Sequence, residues 1–449
     1  MNILHYALGF PPYRTGGLTK FCMDLMNEQV KEGHKVSLLW PGEMSLFYNN
    51  TSIKYRCKNG VIYSFEVINP TPVSYDEGIG EIDAFTQEGN ESVYTSFLKE
   101  LKPDVIHIHT LMGIHRSLLA AAKRLNIRIV FSAHDFFPIC PKVTMFRNGK
   151  ICKSIENCEC CAACNTTALS LNKIRLLQSG LYRTAKDSYF VKKLRKRHRD
   201  NYLSESTALK SSGESNSLAA ADYQHLRNYY KSLIEMADVI HYNSSVTQSV
   251  YEKHLQPVSP KAALIPITHA DIQDHRRKKQ YDHDLRITYL GPAGGGKGFF
   301  LLRAALDKLW HDKENGRQDF CLKIYFHPTE LAPYMKVHGR YTYDQLEEIF
   351  ENTDILVAPS IWYETFGYTV LEALSFGVPV IISDTVGAKD IIPDGAGVIV
   401  EDITAEKLAK RIKQLNTDQL QSMNAVVVSK LTMPTLASMS EDILEKCYQ

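Results

Sequence analysis

The chain is predicted to be an α/β protein built from two similar doubly wound halves. Three observations carry this. Short apolar runs of strand length alternate with stretches whose apolar residues recur every three to four positions. The order strand, glycine-rich loop, helix opens at residues 3–30 and again at residues 285–299. At 449 residues the chain is too long for one hydrophobic core, and two or three domains are expected. A hydrophobic content of 44% with 23% charged residues is that of an ordinary globular protein, not of a disordered one. The net charge of +2 favours no class of charged partner over the whole chain.

In the first half, residues 3–8 read as a strand, followed by the loop GFPPYRTGG and a helix burying Leu18, Phe21, Cys22, Leu25, Met26 and Val30. Gly33 ends that helix and residues 35–39 form the second strand. Gly16 and Gly17 stand at the helix entrance; they either serve a tight turn or let backbone approach a ligand. They do not make G-x-G-x-x-G, so a dinucleotide cofactor is poorly supported. Residues 51–68 suggest antiparallel strands turning near Asn59-Gly60, and residues 69–91 a surface loop. Residues 104–109 and 127–132 are further buried strands with a helix, 114–125, between them. His134 and Asp135 fall just after the second of these, where open α/β sheets place ligands. His134 is then either a hydroxyl contact or a satisfied structural histidine, and His107 and His109 are core or cleft-lining groups. Helices are expected at 169–202 and 223–236, and the last strand of this half at 237–243.

The second half starts with a strand at 285–290, the loop Gly291-Pro-Ala-Gly-Gly-Gly-Lys297-Gly298 and a helix from Phe299. Gly291, Gly296 and Lys297 satisfy G-x-x-x-x-G-K, but Gly298 supplies no hydroxyl for magnesium, which weakens an NTPase reading. Lys297 beside glycine backbone still suits a diphosphate. A strand at 320–326 and a helix at 343–352 lead to the stretch 354–380, DILVAPSIWYETFGYTVLEALSFGVPV. There a strand ends at Ala358, a loop carries Glu364, Phe366 and Gly367, and a helix opens near Thr369. Unpaired N–H groups and the helix dipole favour a phosphate at such a point. Glu364 and Glu372 flank it, and carboxylates bind sugar hydroxyls, so the stretch suggests a nucleotide-sugar site. The competing reading makes Thr369-x-x-Glu372 a capping box. A strand at 398–400 and helices at 404–415 and 431–449 complete the half.

Glu364-Thr365-Phe366-Gly367, with Glu372 eight residues after Glu364 and Gly377-Val378-Pro379-Val380 beyond, resembles the E-x7-E motif of the family 4 retaining glycosyltransferases. The resemblance implies a GT-B fold, two Rossmann-like domains facing across a cleft: residues 1–266 for the acceptor, 267–430 for the nucleotide-sugar, and a C-terminal helix, 431–449, returning to the first domain. It implies transfer of a sugar from a nucleotide diphosphate to an acceptor hydroxyl with retention, in cell-surface polysaccharide or glycolipid synthesis. By the same resemblance Glu364, His134 and Lys297 are the catalytic set. Gly16, Gly17, Gly291, Lys297, Phe366, Gly367, Tyr368, Thr369 and Glu372 bind the donor, with Glu372 on the ribose. Many relatives carry Arg where this chain has Pro292, so one phosphate contact is absent or comes from elsewhere. No Asp-x-Asp follows a strand, and a catalytic metal is not required. Rival readings are an epimerase or phosphorylase of the same fold and a non-catalytic scaffold.

Six of the ten cysteines fall in an insert near residues 136–166. Cys158-x-x-Cys161 and Cys161-x-x-Cys164 have the spacing of thiolate pairs on a tetrahedral metal. Structural zinc held by Cys140, Cys152, Cys161 and Cys164, with Cys158 and Cys160 as alternatives, is the expected use. An iron–sulfur cluster, labile disulfides and free thiols are the other readings. The basic run VKKLRKRHRD, residues 191–200, can attract an anionic membrane surface or nucleic acid, or form a solvated helix face; nucleic acid is not the expected partner. Residues 204–217 are Ser-rich and read as a loop. The opening MNILHYALGF lacks a signal-peptide pattern, and the expectation is a cytoplasmic protein, peripheral at the inner membrane face if the basic run acts there.

Overall fold

The computed structural model describes the chain except residues 12, 15, 75–77, 154–157, 187, 189–192, 194–218, 256–259 and 313–318. The basic run apart from Lys193, and the Ser-rich stretch, lie outside the described residues. Among the described residues no helix is long and apolar enough to cross a membrane.

Ten strands belong to the first domain: β1 Asn2–Tyr6, β2 Lys35–Pro41, β3 Ser52–Asn59, β4 Ile62–Ile68, β5 Val105–Ile108, β6 Arg128–Ala133, β7 Phe146–Arg147, β8 Lys150–Ile151, β9 Val239–Tyr242 and β10 Lys261–Leu264. Eight of them form one sheet in the order β10-β9-β6-β5-β1-β2-β4-β3. Every pairing is parallel except β3 with β4. Inner strands such as β5 are buried at every position, as a parallel sheet covered on both faces requires. The exposed β3 is the antiparallel edge, where alternation with polar residues is tolerated.

The second domain holds β11 Leu285–Tyr289, β12 Phe320–Ile324, β13 Met335–Val337, β14 Ile355–Ala358, β15 Val380–Ser383 and β16 Gly397–Val400. Their order is β13-β12-β11-β14-β15-β16. Strand order reverses between β11 and β14, and the crevice at the carboxyl ends of those two strands is where such sheets bind ligands. The loops after β11 and β14 carry Lys297 and Glu364 respectively.

One core cluster joins the halves, running from Phe21 and Leu25 of the first domain to Phe366, Val370 and Leu371 of the second. The chain ends on the first domain. Helix Leu436–Ile443, capped by Thr435, passes into a π-helical turn, Leu444–Tyr448. There the Cys447 carbonyl accepts from Arg128 Nε at 2.7 Å and the Tyr448 hydroxyl from Gln29 Nε2 at 3.2 Å.

Three sequence expectations are corrected. The segment 69–91 is not a plain surface loop. Ile79, Ile82 and Phe85 are buried in it, and its carbonyls at Ile79 and Phe85 accept from the Tyr223 and Tyr230 hydroxyls. That contact comes from helix Ala220–Ile234, far along the chain, and no local period announces it. The last strand of the first sheet is β10 and not β9. Last, helix Tyr368–Ser375 starts on Gly367, whose φ of 105° places it in left-handed space, and no side chain caps it. Thr369 and Glu372 therefore make no capping box.

Candidate active site

Two helices open toward the space between the domains without side-chain caps. Helix Gly17–Lys31 is preceded by Gly16 at φ 127°, and helix Tyr368–Ser375 by Gly367. A side-chain cap would consume first-turn N–H groups; glycine leaves them available to an anion. A cleft of about 300 Å³ lies there, lined by Gly17, Phe21, His134, Asp135, Lys297 and the segment from Trp362 through Glu364 to Tyr368, among others. Of the described lining residues, Lys297 is the one cation.

The loop bearing Lys297 is fixed by its glycines. Gly298 sits at φ 78°, and a Cβ there would stand 1.9 Å from the Pro359 carbonyl oxygen. A Cβ on Gly296 would strike the Trp362 ring at 2.3 Å. The Tyr289 hydroxyl binds the Pro292 carbonyl at 2.9 Å, which ties down the turn. Lys297 Nζ consequently reaches Glu364 Oε1 as an ion pair, while Ser360 Oγ donates to Glu364 Oε2 at 2.6 Å. Lys297 and Glu364 are thus held within one hydrogen-bonded group at the cleft, with their opposite charges paired.

Glu372 lies behind the helix opening and is buried. Its Oε1 stands 3.5 Å from His269 Nε2, and its Oε2 has no hydrogen-bond partner. Neither ring nitrogen of His269 makes a hydrogen bond, and the buried Tyr368 hydroxyl is also unpartnered. A buried unpaired polar atom costs roughly 1–3 kcal/mol. Three such groups, on Glu372, His269 and Tyr368, stand in adjoining side chains.

His134 is half-buried in the cleft wall, its ring 4.6 Å from that of Phe21. Its backbone carbonyl accepts from Thr365 Oγ1 at 3.1 Å, a bond that joins the domains beside Glu364. Burial pushes the His134 imidazole down to about 3 and the Asp135 carboxyl up to about 6. The cleft wall brings together Gly17, His134, Lys297, Glu364, Phe366, Gly367 and Tyr368. Gly16, Gly291, Thr369 and Glu372 are not on that wall. Gly291 packs under the Tyr289 ring, where a Cβ would come within 2.5 Å of its hydroxyl. Position 292 contributes only its carbonyl, to Tyr289. His269, Trp362, Ser360 and Asn243 were not singled out from sequence. Trp362 and Ser360 lie in the flagged stretch, but His269 and Asn243 are brought in only by the fold.

None of the ten cysteines, the six of the insert included, is disulfide-bonded. Cys158 and Cys161 sulfurs accept from Arg227 at 2.9 and 2.8 Å. Burial is the main reason the Cys140 and Cys161 thiols are raised, to about 12 and about 11. Neighbouring thiols add to the rise: Cys164 and Cys161 act on Cys140, and Cys158, Cys152 and Cys164 on Cys161. Among the described residues the three-ligand group with atoms inside 4.8 Å of one another is His5, His107 and His109, not a set of cysteines.

Comparison with known proteins gives the class first. Along its whole length the chain superposes on an α,α-trehalose-phosphate synthase (UDP-forming) from Burkholderia xenovorans, solved with glucose-6-phosphate. The TM-score is 0.57 at 11% identity, covering 100% of both chains. The fold is GT-B. A model described as Glycosyltransferase Family 4 matches residues 15–157, and one described as Glycosyl transferases group 1 matches residues 271–427. The chain belongs to these family 4-like glycosyltransferases. Among curated relatives, a D-inositol 3-phosphate glycosyltransferase of Paenarthrobacter aurescens is 29% identical over 143 residues, 32% of this chain and 30% of that protein. An uncharacterized 42.6 kDa protein in the cps region of Klebsiella pneumoniae is 21% identical over 153 residues, 33% of this chain and 40% of the relative. The matched segments thus span less than half of either relative.

Proposed function

We propose that this chain is a retaining glycosyltransferase that moves a sugar from a nucleotide-diphosphate sugar to an acceptor hydroxyl, in the synthesis of a cell-surface polysaccharide or glycolipid. The observation that carries it is the pairing of two sites on one element. The uncapped start of helix Tyr368–Ser375, with Lys297 and Glu364 before it, suits a diphosphate and its sugar. One turn on, Glu372 Oε2 and the His269 ring nitrogens, which make no hydrogen bond, suit the ribose hydroxyls. As the sugar–phosphate bond breaks, negative charge grows on the leaving diphosphate, and Lys297 with the helix amides stabilises it. Glu364 and His134 orient the sugar. The Burkholderia neighbour's name, a UDP-forming synthase with a sugar phosphate bound, supports the donor and acceptor kinds. The reading requires no catalytic metal.

Glu372→Ala tests the donor site. Loss of one or two hydrogen bonds to a charged acceptor should weaken nucleotide-diphosphate binding about 10- to 100-fold. The ligand-free melting temperature should stay level or rise, since a buried unpaired oxygen is removed. Isothermal titration and thermal shift read both; unchanged affinity rejects the ribose assignment. Product analysis with and without an acceptor separates transfer from epimerisation or phosphorolysis.

The cysteine insert is proposed to hold one structural zinc on Cys140, Cys152, Cys161 and Cys164, with Arg227 offsetting the thiolate charge. Elemental analysis should find about one zinc per chain. Protein that contains no zinc, and melts at the same temperature with and without chelator, rejects it.

A further inference from the structure

Beneath the cleft the first domain buries a continuous run of imidazoles. His241 Nε2 meets the Ile265 carbonyl at 2.8 Å, and its Nδ1 meets Ser132 Oγ at 2.7 Å. Ser132 Oγ meets His107 Nε2 at 2.6 Å, and His107 Nδ1 meets the Tyr448 hydroxyl at 2.6 Å. Tyr448 continues to Gln29 Nε2 at 3.2 Å, and Gln29 Oε1 to His5 Nε2 at 2.8 Å. His5 Nδ1 meets His109 Nε2 at 2.8 Å, and His109 Nδ1 meets His134 Nε2 at 3.4 Å. The imidazoles are held neutral by burial: His5 and His241 are lowered to about 4, and His107 and His109 well below the ordinary value.

Hydroxyls, a rotatable amide and neutral imidazoles can each pass hydrogen bonds in either direction, so the interior of this chain has two polarities. Its end does not. The Ile265 carbonyl can only accept, so His241 carries its proton on Nε2 and accepts on Nδ1 from Ser132. Ser132 then accepts from His107, His107 from Tyr448, and Tyr448 from Gln29. Gln29 accepts from His5, His5 from His109, and His109 from His134. Every histidine becomes the Nε2–H tautomer, and His134 is left with a bare Nδ1 lone pair. The opposite polarity would set the His241 lone pair against a carbonyl oxygen deep in the protein, an uncompensated repulsion.

We propose that this one-directional chain makes His134 an obligate hydrogen-bond acceptor at the cleft, and that Ser132, His107, Tyr448, Gln29, His5 and His109 are positioning residues for it. The group received there is a hydroxyl; a carboxylate or phosphate oxygen, which can only accept, is rejected. The inference rests on the glycosyltransferase reading for the identity of the hydroxyl as one on a sugar. The histidine group itself is not a metal site, since all six ring nitrogens of His5, His107 and His109 have protein partners.

Long-range proton–nitrogen NMR on histidine-labelled, ligand-free protein at neutral pH tests the chain without any substrate. The five rings, assigned by single replacements, should all show the Nε2–H tautomer. An Nδ1–H or imidazolium signal from His134 overturns the proposal. Ser132→Ala separates the carbonyl anchor from the rest, and Tyr448→Phe does so by a different cut. In either variant Gln29 is free to reverse, and His134 should populate both tautomers. Affinity for a nucleotide sugar should fall about three- to tenfold while that for the nucleotide diphosphate alone is unchanged. A His134 tautomer and nucleotide-sugar affinity untouched by both variants also overturn it. Wild-type protein that binds no nucleotide sugar rejects the glycosyltransferase reading instead, leaving the tautomer signals to decide the chain.

Discussion

Lys297→Met should lower kcat for sugar transfer about 100- to 1000-fold, the size seen when one preorganised group facing a developing negative charge is removed. The effect should fall on kcat more than on donor KM, because the charge on the leaving diphosphate is larger in the transition state than in the bound donor. Methionine keeps the length and packing of the stem against Trp362, whose ring lies 5.8 Å from Nζ. The fold should therefore be retained, since the loop is set by Gly296, Gly298 and Tyr289 rather than by the ammonium. Removing the cation also leaves the Glu364 carboxylate with the Ser360 hydroxyl as its donor. Steady-state kinetics with a nucleotide-sugar donor, alongside a melting curve, checks both points. A variant with full kcat would remove Lys297 from the chemistry.

Asp354→Ala should cost about 3–5 kcal/mol of stability, the penalty for stripping one partner from a buried ion pair. Asp354 immediately precedes β14, and its side chain is 2% exposed. Its oxygens accept from the Arg286 backbone N–H at 2.7 Å, from Arg286 Nη2 at 2.7 Å and from His283 Nε2 at 3.1 Å. Those bonds clamp β14 to β11, the two strands whose following loops present Glu364 and Lys297. The substitution leaves the Arg286 guanidinium, mostly buried, without its counter-ion. Urea denaturation should show the loss as a shifted midpoint at unchanged slope. A change below about 1 kcal/mol would mean that the clamp contributes no more than an exposed pair.

How far the site was legible follows from the range of each signal. Alternation of strand-length and helix-period runs is local, so β1, β2, β5, β6, β11 and β14 were placed from sequence to within one or two residues. Glycines that must adopt positive φ are also local signals, and Gly16, Gly298 and Gly367 marked all three loops. The weighing of Glu372 as a capping residue failed for a local reason too. Thr-x-x-Glu predicts a cap only if the helix begins at threonine, and Gly367 starts it earlier. Segment 69–91 was misread because its apolar residues are covered by a helix more than a hundred positions on.

By itself the sequence determined two α/β halves, the glycine loops that open their helices, and the Glu364–Glu372 spacing that points to a nucleotide-sugar. Those features are written in neighbouring residues and survive any arrangement of the halves. Tertiary structure alone decided that Lys297 and Glu364, 67 positions apart, form one ion pair. It also decided that His269 faces Glu372, and that Tyr448 at the end of the chain links Gln29 to His107. Such contacts join segments with no shared period. They exist because the parallel sheets bring separate loops to the same ends, and because the last helix crosses back to cover the first domain.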